Sequence, residues 1–499
     1  MITMDSEYND KRAEAQRLGE ARAEAQRAEA VQAESREIAD FEDDSQQIDI
    51  EVDGKGQRLK LIVSLTWPAL AENFLVSVMS MFDMMMVGEL GEYAINAVGL
   101  ITQPRFIMMA AFMAMSTGTT ALVARCKGAH DKNGANLALQ QSMIISAVMT
   151  VAVCVAMIFF CEPLLRWIGG EGLSEKTILE GIKYFKIQIY GFPTLALTFS
   201  INASLRGAGN TRPTFYNNSV ANIVKVTLNF FLITGRYGFP RLEVAGASIA
   251  TVIGQTVGLA MALYVAMRGK QYIQLSFKKR WRVDFTMIRR VVHIGLPALV
   301  EQVIMRVGSL WFTTIVAALG EISFAAHMVA MNLQQISFMT GMSFGVAATT
   351  LVGQSLGRKR ADLARVYVRM TQNLGIIVSV VVSLILFTCG RLLTGLYTND
   401  VVIIILAADM LKIIAVSNPL SNARFVYISA LRGAGDARYM AVITFVGVLL
   451  VRPLLSLFLT SAFDMGLSGI WIALVSDGVI CYIMSLLRYR AGKWESIKV

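Results

Sequence analysis

The chain has 499 residues, 55% of them hydrophobic and only 16% charged, with a formal net charge of +10. Soluble domains carry roughly 25% charged residues, so an ordinary water-soluble globule is excluded. Five scattered cysteines and three dispersed histidines form neither a disulfide framework nor a metal-ligand spacing, and no cluster of catalytic carboxylates stands out, so neither an enzyme nor a cofactor is expected.

The first 58 residues form a densely charged segment in which AEAQR occurs twice within KRAEAQRLGEARAEAQR. Ala, Glu, Gln and Arg favour a helix, but there is almost no apolar face to bury, which predicts a solvated helical or disordered tail. From residue 59 onward the chain supplies one long apolar run after another. Each is long enough to cross about 30 Å of hydrocarbon at about 1.5 Å per residue. The runs predict twelve spans, at about 60–87, 93–120, 137–161, 178–203, 214–234, 244–267, 289–318, 323–351, 366–389, 401–429, 439–460 and 466–487. Only helices or closed barrels satisfy backbone groups in lipid, and runs this long are helical.

The loops on one side hold most of the basic residues, among them Arg125, Lys127, Arg206, Arg212, Lys278, Lys279, Arg358 and Arg488, while the other side has few. The positive-inside rule puts both termini in the cytoplasm, as an even number of spans requires. The basic charge is therefore explained by topology, without any nucleic-acid partner. The expected organisation is a tail (1–58), a first lobe (59–270), a basic cytoplasmic linker (271–288), a second lobe (289–490) and a cytoplasmic C-terminus (491–499).

The two halves repeat. A shift of 229 residues lays Pro68-Ala-Leu-Ala-Glu72 on Pro297-Ala-Leu-Val-Glu301, and Gly128 on Gly357. A shift of 226 lays Ser204-Leu-Arg-Gly-Ala-Gly209 on Ala430-Leu-Arg-Gly-Ala-Gly435, and one of 223 lays the segment from Ala245 on that from Ser468. Each unit has six spans, so the lobes are parallel repeats with a cleft between them, the architecture of a secondary transporter. There is no G-x-x-x-x-G-K-[ST] loop to serve an ATP motor. Pro68, Pro297, Gly207 and Gly433 are structural candidates. In the two LRGAG segments the arginines offset a helix C-terminus and the glycines permit a helix-ending left-handed residue.

The stretch from about 59 to 490 resembles the multidrug and toxic compound extrusion (MATE) family. The resemblance rests on Pro68 with Phe82-Asp83 and Val87-Gly88, Ala94–Leu100, Leu205–Pro213, Leu228-Asn229, Val244–Thr251, Gly295–Gln302, Ala325-Ala-His327 and Ala347–Gln354, in that order. It implies export of organic cations or amphiphiles by antiport with Na⁺ or H⁺ through alternating access, by a monomer in the lipid bilayer of the cell membrane. A flippase for lipid-linked oligosaccharide or polysaccharide, a related fold of the same superfamily, is the alternative.

Ionisable groups at membrane depth are costly and are the functional candidates. Asp83 matches the first-span aspartate that family members use in cation coupling, either as a Na⁺ ligand or as a proton carrier. Glu72, eleven residues earlier, shares its helix face and is assigned to coupling and to the substrate cavity. Its repeat mate Glu301 faces it from the other lobe. The two carboxylates either attract a cationic substrate, the favoured reading, or tie their own lobes together. Arg306, Asn229 and Met84 complete the expected cavity. Arg105, Lys186, Lys225, Lys412, Arg424 and Arg452 also fall within spans, several too deep to snorkel and expected to pair with carboxylates. The sequence departs from the family where the fifth-span aspartate becomes Ile233, a seventh-span acid becomes Arg306 and a tenth-span acid becomes Ser421. Asp83 maps onto Phe312, so its carboxylate has no mate.

Overall fold

The computed structural model describes residues 50, 54–169, 174–235, 238, 240–269, 271–275 and 281–497. The expected tail up to residue 49 and the basic stretch 276–280 of the linker lie outside them. Twelve long helices follow one another: α1 (Lys55–Gly88), α2 (Glu92–Gly128), α3 (Lys132–Gly169), α4 (Glu175–Gly207), α5 (Arg212–Leu232) and α6 (Glu243–Met267). The second half repeats them as α7 (Phe285–Ala317), α8 (Glu321–Gly357), α9 (Ala361–Thr388), α10 (Val401–Gly433), α11 (Ala437–Ala462) and α12 (Gly466–Arg490). Ten of these are long and apolar enough to cross a membrane on their own composition. The other two, α4 and α5, carry polar stripes that sister helices cover. The fold is an all-α integral membrane protein of two six-helix lobes.

Most helices overrun the expected spans. Residues 137–161 become Lys132–Gly169, and α2 and α8, at 37 residues, are about 55 Å long. Hydropathy marks only the part of a helix that lipid contacts, whereas backbone hydrogen bonding carries the helix on until a cap or a turn stops it. Ser174, Asp284 and Asp400 accept such capping bonds at the starts of α4, α7 and α10. Two details have no hydropathy signature. One is a short helix at Gly390–Gly395. The other is a π-helical stretch, Phe445–Val451, in the middle of α11.

Pro68 and Pro297 sit inside α1 and α7, each costing its helix one backbone bond while the helix continues. Cores form within each half: Phe112, Phe185 and Phe192 are buried in the first lobe, and Phe312, Met410 and Trp471 in the second. The lobes also interlock. The first turns of α1 bury Leu61, Ile62 and Leu65 against Ala347, Leu351 and Tyr367 of α8 and α9, and Tyr367 donates to the Ile50 carbonyl at 2.6 Å. In the mirror relation, α7 packs along α2, where a Cβ on Gly118 would come within 2.5 Å of the Val291 carbonyl oxygen.

Candidate functional site

Helices α1 and α5 lie side by side in parallel, and their register sets the first-lobe site. Asn218 donates to Glu72 at 2.6 Å, and Asn229 donates to Asp83 at 2.7 Å. The two contacts are separated by the same number of residues on each helix, three turns apart. Asn218, Asn222, Lys225 and Asn229 recur at helical spacing and make one polar face of α5, a stripe that is legible in the sequence. Asn202 of α4 joins it through Asn217 and Asn218.

Each carboxylate has a base within its own lobe. Arg206, the arginine of the first LRGAG segment, lies 4.0 Å from Glu72. Arg432, its repeat mate, forms an ion pair with Glu301, whose side chain is only 7% exposed. The third partner repeats as well, because Thr444 sits 226 residues after Asn218 and donates to Glu301 at 3.4 Å. Glu72 and Glu301 are thus pseudo-symmetric in position and in partners, each joined to helices of its own lobe. Reading the LRGAG arginines only as helix-end charges missed these pairs. In each segment the residue that ends the helix in the left-handed region is the last glycine, Gly209 (φ 80°) or Gly435 (φ 87°). Gly207 and Gly433 serve instead as close-approach positions, where a Cβ would press on the backbone of Thr120 in α2 or Thr349 in α8.

The symmetry ends about two to three turns further along. Lys225 forms an ion pair with Asp83, both side chains being partly buried, so one Asp83 oxygen holds an ammonium and the other an amide N–H. In the second lobe, the offset that relates Asn218 to Thr444 grows by one across the π-helical stretch, which brings Arg452 to the place of Lys225. Arg452 lies 5.4 Å from the centre of the Phe312 ring, the residue at the place of Asp83. Its carboxylate partner is Asp477 of α12, which is almost fully buried. The first-lobe counterpart of Asp477 is Gly254 of α6, whose missing Cβ would sit 3.0 Å from that of Lys225. One buried base therefore faces the last helix of its lobe for its counter-ion, and the other faces the first.

Among the described residues Arg105, Arg306 and Arg424 have no carboxylate partner. Arg306 instead crosses between lobes, 3.9 Å from the centre of the Phe106 ring on α2. Lys412 pairs with Asp409 one turn earlier in α10, Lys186 is exposed, and Met84 is 46% exposed beside Asp83. No three His, Cys, Asp or Glu side chains converge on a metal position among the described residues.

The lobes are sealed together on the side from which α1 enters. Gln354 of α8 donates to the Gly207 carbonyl at 3.0 Å, and Thr350 to that of Arg206 at 2.9 Å. Arg125, the repeat mate of Gln354, donates to the Ala434 carbonyl at 3.3 Å. Each LRGAG turn is thus gripped by the long helix of the opposite lobe. Gly128 and Gly357 let α2 and α8 touch backbone to backbone there, since a Cβ on Gly128 would fall 2.7 Å from the Gln354 carbonyl carbon.

Comparison with known proteins agrees with this architecture. The MatE family model matches residues 68–231 and 297–458, one block in each half. A protein of Thermotoga maritima described as probable multidrug resistance protein NorM is 28% identical over 440 residues, covering 87% of this chain and 93% of its own length. The uncharacterized transporter YisQ of Bacillus subtilis is 28% identical over 439 residues, covering 87% and 94%. A solved structure described as the outward-facing conformation of a multidrug resistance MATE family transporter of the MOP superfamily superposes with a TM-score of 0.82, at 20% identity, over 90% of this chain and 100% of that one. With a family match in each of two repeated halves, on twelve helices that superpose along the whole membrane portion, this chain belongs to the MatE family of multi-pass membrane transporters.

Proposed function

We propose that the protein is a secondary active exporter of varied amphiphilic organic molecules, working as a monomer by alternating access in the cell membrane with both termini in the cytoplasm. The sealed side is then the cytoplasmic one, as the positive-inside rule supports. The multidrug description of a relative at 28% identity supports the cargo class.

The observation that carries the coupling is the Asp83–Lys225–Asn229 cluster. A hard cation such as Na⁺ needs several converging oxygens, and here both Asp83 oxygens meet N–H donors. That arrangement suits a proton. Ionised Asp83 attracts Lys225 and holds α1 against α5. A proton delivered to Asp83 removes that attraction, leaves Lys225 charged and frees α1 to move. Alternation follows when this release on the first lobe is linked to the seal formed by Gln354, Thr350 and Arg125.

The test is flux of a fluorescent amphiphile in reconstituted vesicles, driven separately by a pH gradient and by a Na⁺ gradient. The expected result is transport with the pH gradient alone, falling at least about tenfold in Asp83→Asn. Full coupled transport by that variant removes Asp83 from the mechanism. Arg105, Arg306 and Arg424, without a carboxylate partner among the described residues, favour the second reading, a flippase for lipid-linked sugars. No flux under either gradient, with translocation of a lipid-linked oligosaccharide instead, would support it.

A further inference from the structure

We propose that the pocket between α8 and α10 in the second lobe is a carboxylate-binding subsite, and that preferred cargo carries an acidic group received there by Arg424. The proposal rests on the exporter reading above and narrows its substrate class.

The pocket has a volume of about 50 Å³. At roughly 10–15 Å³ per water position, that is room for about three to five waters, or for a carboxylate with its attached carbon. Its walls hold Arg424, Gln334 and Ser337, and each has a buried polar atom without a hydrogen-bond partner: Arg424 Nε, Gln334 Oε1 and Ser337 Oγ. Ser337 is 8% exposed. Turned about its last torsion, the Gln334 amide presents an N–H in place of its oxygen. Three side chains able to donate thus line one small space, and no acidic residue is among its lining.

Electrostatics select the sign of the ligand. The nearest acid on α12, Asp477, is committed to Arg452. Arg424 touches the Phe425 ring at 5.2 Å and the Cys481 thiol, neither of which carries a counter-charge. Arg424 is half-buried with its Nε fully covered, and its planar fork matches a carboxylate in bidentate fashion. Phe338 and Phe425 meet edge to face at 4.9 Å beside it and offer an apolar wall for the rest of an amphiphile.

The repeat indicates that the feature belongs to the second lobe alone. Gln334 stands where the first lobe has Arg105, and Arg424 where it has Thr198. The groove arginine has changed helix. In the first lobe Asp83 is near enough to act, with Arg105, on the same tyrosine, Tyr184. In the second lobe the place of Asp83 is taken by Phe312.

The probe pair is rhodamine 110, a free carboxylic acid, and rhodamine 123, its methyl ester, which share one chromophore. Equilibrium binding to the full chain in detergent is read by fluorescence anisotropy. The wild type is expected to bind the acid at least about tenfold more tightly than the ester. Arg424→Gln should abolish that preference with ester binding changed by less than about twofold, and Arg424→Lys, which keeps the charge and loses the fork, should give an intermediate ratio. The lysine variant keeps the test decisive if the glutamine variant does not fold. A wild type without acid preference, or either variant with the full preference, overturns the subsite. Gradient-driven flux of the ester tests the exporter reading separately: flux without acid preference removes only the subsite, and acid preference without flux removes only the exporter.

Discussion

Replacing Gly128 by alanine adds one methyl group at the tightest point between the lobes. Its Cβ would lie 2.7 Å from the Gln354 carbonyl carbon and 2.9 Å from its Cα, where ordinary contact begins at 3.4 Å. The obstacle is backbone and the Gln354 carbonyl oxygen lies nearer still, so α2 and α8 must separate by well over about 0.7 Å at that level. Packed interfaces tend to switch states more readily than they stretch, and the bonds to Arg206, Gly207 and Ala434 are the ones at risk. A hydrogen bond between membrane helices is worth about 0.6 kcal/mol on average, so losing three disfavours the sealed state by about 2 kcal/mol. That is roughly a 30-fold shift toward the state open on the α1-entry side. Spin labels at Lys132 and Lys359, on exposed turns of opposite lobes in a cysteine-free background, report it as a longer and broader distance distribution. The mate substitution Gly357→Ala should act in the same direction. A distance distribution identical to wild type in both variants would refute the idea that these glycines set the seal.

Other consequences are open to direct measurement. Asp83→Asn leaves Lys225 without its carboxylate and should lower stability by about 1–3 kcal/mol, less than a fully buried pair because both side chains keep some exposure. Adding Lys225→Met should restore the melting temperature without restoring proton-driven flux. Arg432→Met strands Glu301, which is 6% exposed, and should cost about 3–5 kcal/mol, whereas Glu301→Gln with Arg432→Met should recover most of the melting temperature and keep transport. A double variant that melts normally and transports nothing would return Glu301 to the substrate path. Gly433→Ala should destabilise by about 1–3 kcal/mol through overpacking against Thr349, while Gly99→Ala, which meets nothing within 4 Å, should be neutral or slightly stabilising by thermal melting.

Much of the architecture is written along the chain because lipid imposes a simple rule on composition. Twelve runs and the displaced copies of Pro68–Glu72 and LRGAG are local signals, and each survives into the fold. The helix overruns at α2, α3 and α8 were hidden because capping and long-range packing, unlike hydropathy, extend a helix into water. The partners of the deep charges were hidden for a different reason. Lys225 meets Asp83, and Asp477 meets Arg452, only after helices pack, and nothing local to Asp477 announces its base. The Asn218–Asn229 stripe was a readable hint that α5 turns a polar face inward. The insertion that aligns Arg452 with Lys225 is a hydrogen-bonding irregularity that no residue pattern advertises.

The transposed counter-ion also divides the labour between the lobes. In the first lobe the carboxylate rides on α1, a helix that packs on both lobes, so neutralising one side chain acts on the contact between α1 and α5. In the second lobe Arg452 and Asp477 sit on consecutive helices, α11 and α12, and the corresponding position on α7 carries only a ring. In the proposed cycle, chemistry and motion are clutched together on one side and disengaged on the other. A duplicated machine with two equal clutches could slip through half-cycles. With one, the proposed cycle has a single point at which charge is converted into displacement.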